Sequence, residues 1–215
     1  LLEIPCPYRS LEVFEAEHAA NYFGRAAMVQ KLVDKLKTTN FVAVVGPSGS
    51  GKSSLVRAWH ISALRNGALP GSTEWDVSIV RPGEDPLQAL AQPLVTRLES
   101  HLTLVDQMAE TRKLSQHLRN EKLPIGDVLK RLRELPNRPA RWLLLIDQFE
   151  ETFTLCTDEG LRRTFLSTLV AMAETAWLTI VFTLRADFYG RILEDERFGA
   201  RVDTGLVNVL PMNET

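Results

Sequence analysis

The amino-acid sequence predicts an α/β fold in which a parallel five-stranded sheet lies between two layers of helices. Short apolar runs alternate along the chain with segments whose apolar residues recur at helical spacing, a pattern typical of βαβ units with right-handed crossovers. The predicted strands cover about 41–45, 77–81, 142–146, 178–184 and 206–210. Because parallel strands end at the same edge of a sheet, we expect the functional side chains to gather at that edge.

Amphipathic segments fill the intervals between the predicted strands. Helices are predicted over about 28–36, 52–65, 86–102, 106–119, 126–135 and 159–175. The third of these has the clearest start, because Asp85 is placed as an N-cap, Pro86 stands at the first helical position and Gln88 can close a capping box.

Length and composition limit the class of protein. The 215 residues are enough for one α/β domain with a large core. A hydrophobic content of 45% and a net charge of −2 are ordinary for a globular domain and do not favour nucleic acid as a partner. Cys6 and Cys156 form neither a disulfide framework nor a metal-binding spacing, which favours a reducing, cytoplasmic location. No apolar run approaches the ~20 residues of a membrane span, and both chain ends are expected to be cuts within a longer protein.

A glycine-rich loop follows the first predicted strand and precedes a predicted helix. Residues 46–53 read GPSGSGKS, which matches the Walker A pattern G-x-x-x-x-G-K-[ST] of phosphate-binding loops. Glycines let the backbone curl around an anion, and the loop N–H groups and the helix N-terminus then face the phosphates. Lys52 would reach the β- and γ-phosphates, and the Ser53 hydroxyl would ligate Mg²⁺. The predicted nucleotide-binding residues of this loop are Gly46, Pro47, Ser48, Gly49, Ser50, Gly51, Lys52, Ser53 and Ser54.

An aliphatic run that ends in aspartate has the form of a Walker B strand. The run covers residues 143–147 and reads LLLID. Asp147 would hold Mg²⁺ opposite Ser53, usually through a water molecule. Glu150 and Glu151 follow closely, and at least one of them is expected to orient a water for attack on the γ-phosphate. The sequence does not choose between these two carboxylates.

Arg185 stands at the end of the fourth predicted strand. In P-loop ATPases with an extra strand between the Walker A and Walker B strands, that position faces the γ-phosphate, where a cation can stabilise the transferred charge. The alternative is a surface ion pair with Asp187. The sequence has no N/T-K-x-D element of the kind that recognises guanine, so ATP and ADP are the expected nucleotides.

Five segments carry a resemblance to a known family. They are CPYRSLEVFEAEHAANYFGR, FVAVVGPSGSGKSSLVRA, GALPGSTEWDVSIVRPGEDPLQAL, LLLIDQFEETFTL and TLRADFYGRIL. Together they resemble the novel STAND NTPase 1 family of signal-transduction ATPases with numerous domains, often found in bacterial multidomain proteins. The likeness extends over nearly the whole chain.

This resemblance implies a P-loop NTPase core, organised as a three-layer sandwich with strand order 5-1-4-3-2. The core is expected over residues 41–211, after an N-terminal arm and helix at 1–40 and before the start of a helical lid at 212–215. Members often carry an effector domain before the ATPase and a WD-repeat or other sensor module after it.

The resemblance also implies roles for individual residues. Gly24 and Arg25 would lie near the nucleotide, Arg185 would be a sensor arginine, and Pro211 would mark the exit from the last strand toward the lid. Members often have an acidic residue directly after the Walker B aspartate, but this chain has Gln148 there. The catalytic role is therefore left to Glu150 or Glu151.

The combined features predict a slow, regulatory ATPase. ATP with Mg²⁺ would favour an open, self-associating state of the full-length protein and hydrolysis a closed one, through contacts that differ between the two states. The expected partners are nucleotide, other domains of the same protein and further copies of it, but neither membrane nor nucleic acid. Two alternatives remain open: a degenerate scaffold that binds nucleotide without significant hydrolysis, and a metabolic kinase.

Overall fold

The computed structural model describes residues 26–59, 63–136 and 138–209 and shows alternating strands and helices over them. The strands are β1 (Phe41–Gly46), β2 (Asp76–Val80), β3 (Trp142–Ile146), β4 (Leu178–Arg185) and β5 (Leu206–Asn208). The α-helices of these residues are α1 (Ala26–Leu36), α2 (Lys52–Trp59), α3 (Pro86–Leu98), α4 (Leu104–Arg119), α5 (Ile125–Glu134), α6 (Glu151–Thr154), α7 (Glu159–Ala173), α8 (Tyr189–Leu193) and α9 (Glu196–Thr204).

The five strands form one parallel sheet in the order β5-β1-β4-β3-β2. The implied strand order 5-1-4-3-2 is therefore confirmed. β4 lies between β1 and β3, with Gly46 opposite Arg185 on one side and Ile146 opposite Phe182 on the other. The register thus brings the ends of the three central strands to one edge of the sheet.

Strand residues alternate between the two faces of the sheet, and helices cover both faces. One core contains the first, third and fifth residues of β1 and packs against α3, α5, α7 and α9. The second core contains the intervening residues of β1 and packs against α1 and α2. Near-continuous apolar strands are expected when both faces of a sheet are buried, and the predicted three-layer α/β fold is confirmed.

Helix starts largely follow the capping signals of the sequence. The Asp85 side chain accepts a hydrogen bond from Gln88 N at 2.8 Å, and Pro86 begins α3 as predicted. The helix ends at Leu98 rather than near residue 102. The helices over 151–154, 189–193 and 196–204 are absent from the sequence prediction because the longest of them, over 196–204, has only nine residues, too few for a periodic pattern to stand out.

Some predictions fall partly outside the described residues. The N-terminal arm over 1–25 and the proposed lid over 212–215 lie outside them. The helix predicted over 52–65 is described as far as Trp59, after which residues 60–62 lie outside the description. The domain limits 1–40, 41–211 and 212–215 stay predictions.

Two glycines provide a test of this packing, because alanine should have opposite effects at them. A Cβ at Gly205, which precedes β5, would lie 1.8 Å from Phe41 O, whereas a Cβ at Gly126 in α5 meets nothing within 4 Å. We expect Gly205→Ala to lower the free energy of unfolding by at least about 2 kcal/mol. Gly126→Ala should raise it by about 0.5–1 kcal/mol, since glycine is a poor helix former.

Urea denaturation of the two variants and the parent measures both effects. Equal stability of Gly205→Ala and the parent would contradict the close approach of Gly205 to β1.

Candidate nucleotide-binding site

The Walker A segment forms a loop between β1 and α2 at the carboxyl edge of the sheet. A Cβ at Gly46 would lie 2.6 Å from Val209 O and 2.9 Å from Ser50 Oγ, so the end of β1 has no room for a side chain. Gly49 and Gly51 have φ values of 73° and 77°, a left-handed conformation that favours glycine. Lys52 begins α2 as predicted, so the N-terminus of that helix faces the loop.

The Lys52 side chain crosses its own loop. Its Nζ donates hydrogen bonds to Gly46 O at 2.9 Å and Pro47 O at 2.7 Å, and the residue is 8% exposed. Burial lowers the pKa of the Lys52 ammonium, an effect that the negative charge of Glu150 opposes most strongly. The ammonium is thus fixed at the centre of the loop, close to an acidic group.

The Asp147 carboxylate connects the Walker B strand with the Walker A segment. Asp147 is 1% exposed, and its Oδ1 accepts hydrogen bonds from Ser53 Oγ at 2.6 Å and Thr183 Oγ1 at 2.8 Å. The Gln148 backbone N–H contacts the same oxygen at 3.1 Å. Ser53 and Asp147 therefore meet, as the sequence predicts for a shared Mg²⁺ site.

Two arginines face the other oxygen of the Asp147 carboxylate. Arg57 Nη2 lies 3.4 Å from Asp147 Oδ2 and Arg81 Nη2 lies 3.8 Å from it. Neither arginine was predicted as a site residue. Each left a signal in the sequence: Arg57 stands four residues after Ser53 and so shares its helix face, and Arg81 follows β2 at the same sheet edge as Asp147.

Thr183 was also missed as a site residue. It is one of two buried threonines in the largely apolar β4, stands two residues before Arg185, and is 1% exposed. Besides its bond to Asp147, the Thr183 hydroxyl accepts a hydrogen bond from Gln148 N at 2.9 Å. A buried hydroxyl requires such partners, so a threonine near the carboxyl end of a buried strand was the available signal.

The turn after β3 directs its two glutamates to different places. Gln148 adopts φ 56°, and Phe149 inserts into the core, where its ring centroid lies 4.5 Å from that of Phe182. Glu150 Oε2 then accepts a hydrogen bond from Arg185 N at 3.3 Å, whereas Glu151 Oε2 accepts one from Gly83 N at 3.0 Å. The Glu150 side chain thus lies at the sheet edge between the Walker A loop and β4, and the Glu151 side chain contacts the connection between β2 and α3.

The electrostatic surroundings of Glu150 are mixed. Burial is the largest cause that raises the pKa of the Glu150 carboxyl above its ordinary value. Backbone hydrogen bonds and the positive charges of Lys52 and Arg185 oppose that shift. The carboxylate is therefore partly desolvated and lies within electrostatic reach of both cations.

Arg185 lies beside the phosphate loop, opposite Gly46 in the register of β1 and β4. Its guanidinium pairs with Asp187, with Nη2 2.7 Å from Oδ2 and Nε 3.2 Å from Oδ1. This hydrogen bond is the main cause that lowers the pKa of the Asp187 carboxyl. The ion pair with Asp187, which the sequence left open as an alternative, is thus present, and the sensor role of Arg185 stays a prediction.

The remaining predicted site residues divide into two groups. Pro47, Ser48 and Gly49 are exposed on the loop, and Ser54 lies half-buried in the first turn of α2. The other three, Gly24, Arg25 and Pro211, lie outside the described residues.

The oxygen donors present fit Mg²⁺. A serine hydroxyl and an aspartate carboxylate 2.6 Å apart are ligands of the kind that this hard cation prefers. Among the described residues, no group of three or more His, Cys, Asp or Glu side chains is arranged to hold a metal. Mg²⁺ commonly binds through one or two protein groups plus substrate phosphates, so this sparse set suits a metal that arrives with a nucleotide.

A second concave surface lies apart from these residues. An open groove of about 500 Å³ between α3 and α4 has none of the predicted site residues in its lining. Its walls offer no phosphate-binding loop, so we place the candidate site at the Walker A segment. In the part of the chain that is described, no helix combines the length and apolar character needed to cross a membrane.

Solved structures with the same fold include nucleotide-binding ATPases. A Walker-type ATPase of Pyrococcus abyssi matches with a TM-score of 0.58 at 17% identity, over 95% of this chain and 58% of that one. The ORC2 protein of Aeropyrum pernix, solved in ADPNP–ADP complexes, matches with a TM-score of 0.56 at 16% identity, over 94% of this chain and 50% of that one. The chain thus spans less than two thirds of either protein, and the likeness shows the fold alone.

Comparison with curated proteins gives no match. The family whose sequence pattern matches is described as Novel STAND NTPase 1, and the match runs over residues 7–215. With the phosphate loop, the Walker B aspartate and the five-stranded sheet in place, the chain belongs to the novel STAND NTPase 1 family and is a P-loop NTPase-type domain.

Proposed function

We propose that this domain binds ATP together with Mg²⁺, hydrolyses it slowly and acts as a nucleotide-dependent switch within a longer protein. The observation that carries the proposal is the 2.6 Å hydrogen bond between Ser53 Oγ and Asp147 Oδ1. It joins the Walker A and Walker B segments where P-loop NTPases hold the metal that bridges the β- and γ-phosphates.

Phosphate binding would use the loop as it stands. The two carbonyl contacts of Lys52 hold its ammonium across the loop, and an ammonium has three protons to donate. The third can go to a phosphate oxygen, together with the backbone N–H groups that the left-handed glycines orient. The helix N-terminus at Lys52 adds its positive end to the same anion.

Glu150 is the better candidate for the residue that orients the attacking water. Its carboxylate lies near Lys52 and hydrogen-bonds to the backbone of Arg185, on the strand edge that would face a γ-phosphate. Glu151 is instead engaged with Gly83. We assign the catalytic role to Glu150 and a structural role to Glu151.

Slow hydrolysis is supported by the position of the Arg185 guanidinium. Its ion pair with Asp187 has to open before the side chain can stabilise charge on the γ-phosphate. An exposed ion pair of this kind is weak, so the γ-phosphate of ATP can displace Asp187 from Arg185. ADP lacks the γ-phosphate and leaves the pair in place. This difference provides a contact through which the two nucleotides can favour different states.

A degenerate nucleotide-binding scaffold is the second candidate, and the same ion pair favours it. If Arg185 stays with Asp187 when ATP is bound, the site lacks a cation at the γ-phosphate and hydrolysis is not assisted there. The two functions are distinguished by whether Arg185 contributes to the binding of ATP but not to that of ADP.

Glutamine substitutions at the two glutamates test the assignment of the catalytic residue. We expect Glu150→Gln to lower the single-turnover hydrolysis rate by roughly 10²–10⁴-fold while nucleotide binding persists, because the amide cannot take the proton of the attacking water. Glu151→Gln is the matched control and should stay within about threefold of the parent, since an amide oxygen can still accept from Gly83 N.

The pH dependence of hydrolysis provides an independent readout. Burial raises the pKa of Glu150, and only the ionised carboxylate acts as a base. As the pH is lowered, the hydrolysis rate of the parent should therefore begin to fall at a higher pH than an ordinary carboxyl group would give. Glu150→Gln should lose this acid limb. Equal rates in both variants and the parent would contradict a catalytic role for either residue.

Substitution of Arg185 tests the discrimination between nucleotides. Arg185→Ala should weaken ATP binding by roughly 5- to 20-fold and leave ADP binding within about twofold, because only ATP presents a γ-phosphate. Asp187→Asn, which frees the guanidinium, should strengthen ATP binding by less than about fivefold. Calorimetric titration of the parent and both variants with each nucleotide measures these changes; equal losses for ATP and ADP in Arg185→Ala would favour the scaffold.

A further inference from the structure

The two arginines at Asp147 are not explained by the proposed ATPase activity. Arg57 and Arg81 come from different elements, α2 and the end of β2, yet both approach Oδ2 of the same carboxylate. Their side chains differ in exposure, at 18% for Arg57 and 48% for Arg81. Arg57 is therefore the better shielded and closer partner.

The two oxygens of the Asp147 carboxylate have separate partners. Oδ1 accepts from the Ser53 hydroxyl, the Thr183 hydroxyl and the Gln148 backbone. Oδ2 faces guanidinium groups, which remain charged at any working pH. A cation at this distance from a buried carboxylate reduces the attraction of that carboxylate for a second cation.

We propose that Arg57, assisted by Arg81, is a positioning residue that competes electrostatically with Mg²⁺ for Asp147 and so makes metal binding depend on the nucleotide phosphates. This inference rests on the proposed function, because it requires nucleotide and Mg²⁺ at this site. Arg57 supplies the charge partner of Asp147 before the metal arrives, and Mg²⁺ gains full access to the carboxylate only when the phosphates offset the added positive charge.

The protein ligands of the site agree with such dependence. Among the described residues, one carboxylate and one hydroxyl lie where the metal is expected. The same residues contain no group of three or more His, Cys, Asp or Glu side chains that could hold a metal ion. With Asp147 already shared by arginines, these ligands alone hold Mg²⁺ weakly, and most of its oxygen ligands come from phosphate and water.

The effect is measured as a coupling factor, which is the ratio of the ADP dissociation constant in EDTA to that in saturating Mg²⁺. The ratio cancels any direct effect of a substitution on phosphate binding. We expect Arg57→Gln to lower the coupling factor by roughly 5- to 10-fold, because without the competing charge Mg²⁺ can bind Asp147 before the phosphates arrive. Arg57→Lys keeps the charge and should stay within about twofold of the parent.

Two further variants complete the experiment. Arg81→Gln should also lower the coupling factor but by only about twofold, because its side chain is half-exposed and solvent screens it. If circular dichroism shows that Arg57→Gln does not fold, the coupling factor of Arg81→Gln is compared with that of the parent instead. Arg163→Gln, at an exposed position of α7, is the control for removal of one positive charge elsewhere.

The possible outcomes distinguish the inference from the proposed function. A parent that binds no ADP in either condition contradicts the proposed function itself. A parent whose coupling factor exceeds one, together with an unchanged or higher coupling factor in Arg57→Gln, overturns the inference alone: Arg57 then only holds Asp147 in place. A fall in Arg57→Lys equal to that in Arg57→Gln also overturns it, because geometry rather than charge would be responsible.

Discussion

The buried carboxylate of Asp147 is the constraint on which the site depends. A carboxylate with 1% exposure needs charge and hydrogen-bond partners to offset the cost of its burial. Donors from α2, β4, the end of β2 and its own turn converge on it. Removing one partner of such a group leaves an uncompensated buried charge, which is strongly destabilising. The same contacts that satisfy Asp147 therefore fix the phosphate loop relative to the sheet.

The turn after Asp147 extends this organisation to the rest of the edge. Phe149 anchors it in the aromatic core against Phe182, and the backbone of Phe149 donates to Thr183 O at 2.9 Å. The two glutamates consequently separate, one toward the phosphate loop and one toward Gly83. The turn therefore contacts both the end of β4, through Glu150, and the connection before α3, through Glu151.

Sequence patterns predicted the sheet and the phosphate loop because both depend on local signals. Apolar runs marked all five strands, and glycine spacing marked the loop whose left-handed residues the structure shows at Gly49 and Gly51. The sequence places Arg57 on the helix face of Ser53 and Arg81 at the sheet edge of Asp147. Their contacts with Asp147 and the choice between the two glutamates could not be predicted, since these depend on side-chain directions and on contacts between distant segments. The short helices after β4 escaped because few residues carry their pattern.

A crystal structure with a non-hydrolysable ATP analogue and Mg²⁺ tests the central claim most directly. The account predicts the β- and γ-phosphates within the 46–53 loop, the metal at about 2.0–2.1 Å from Ser53 Oγ and Asp147 joined to it directly or through one water. The Ser53–Asp147 hydrogen bond should then be replaced by their shared contact with the metal. A nucleotide bound elsewhere, for example in the groove between α3 and α4, or a metal held without Ser53 and Asp147, would contradict it.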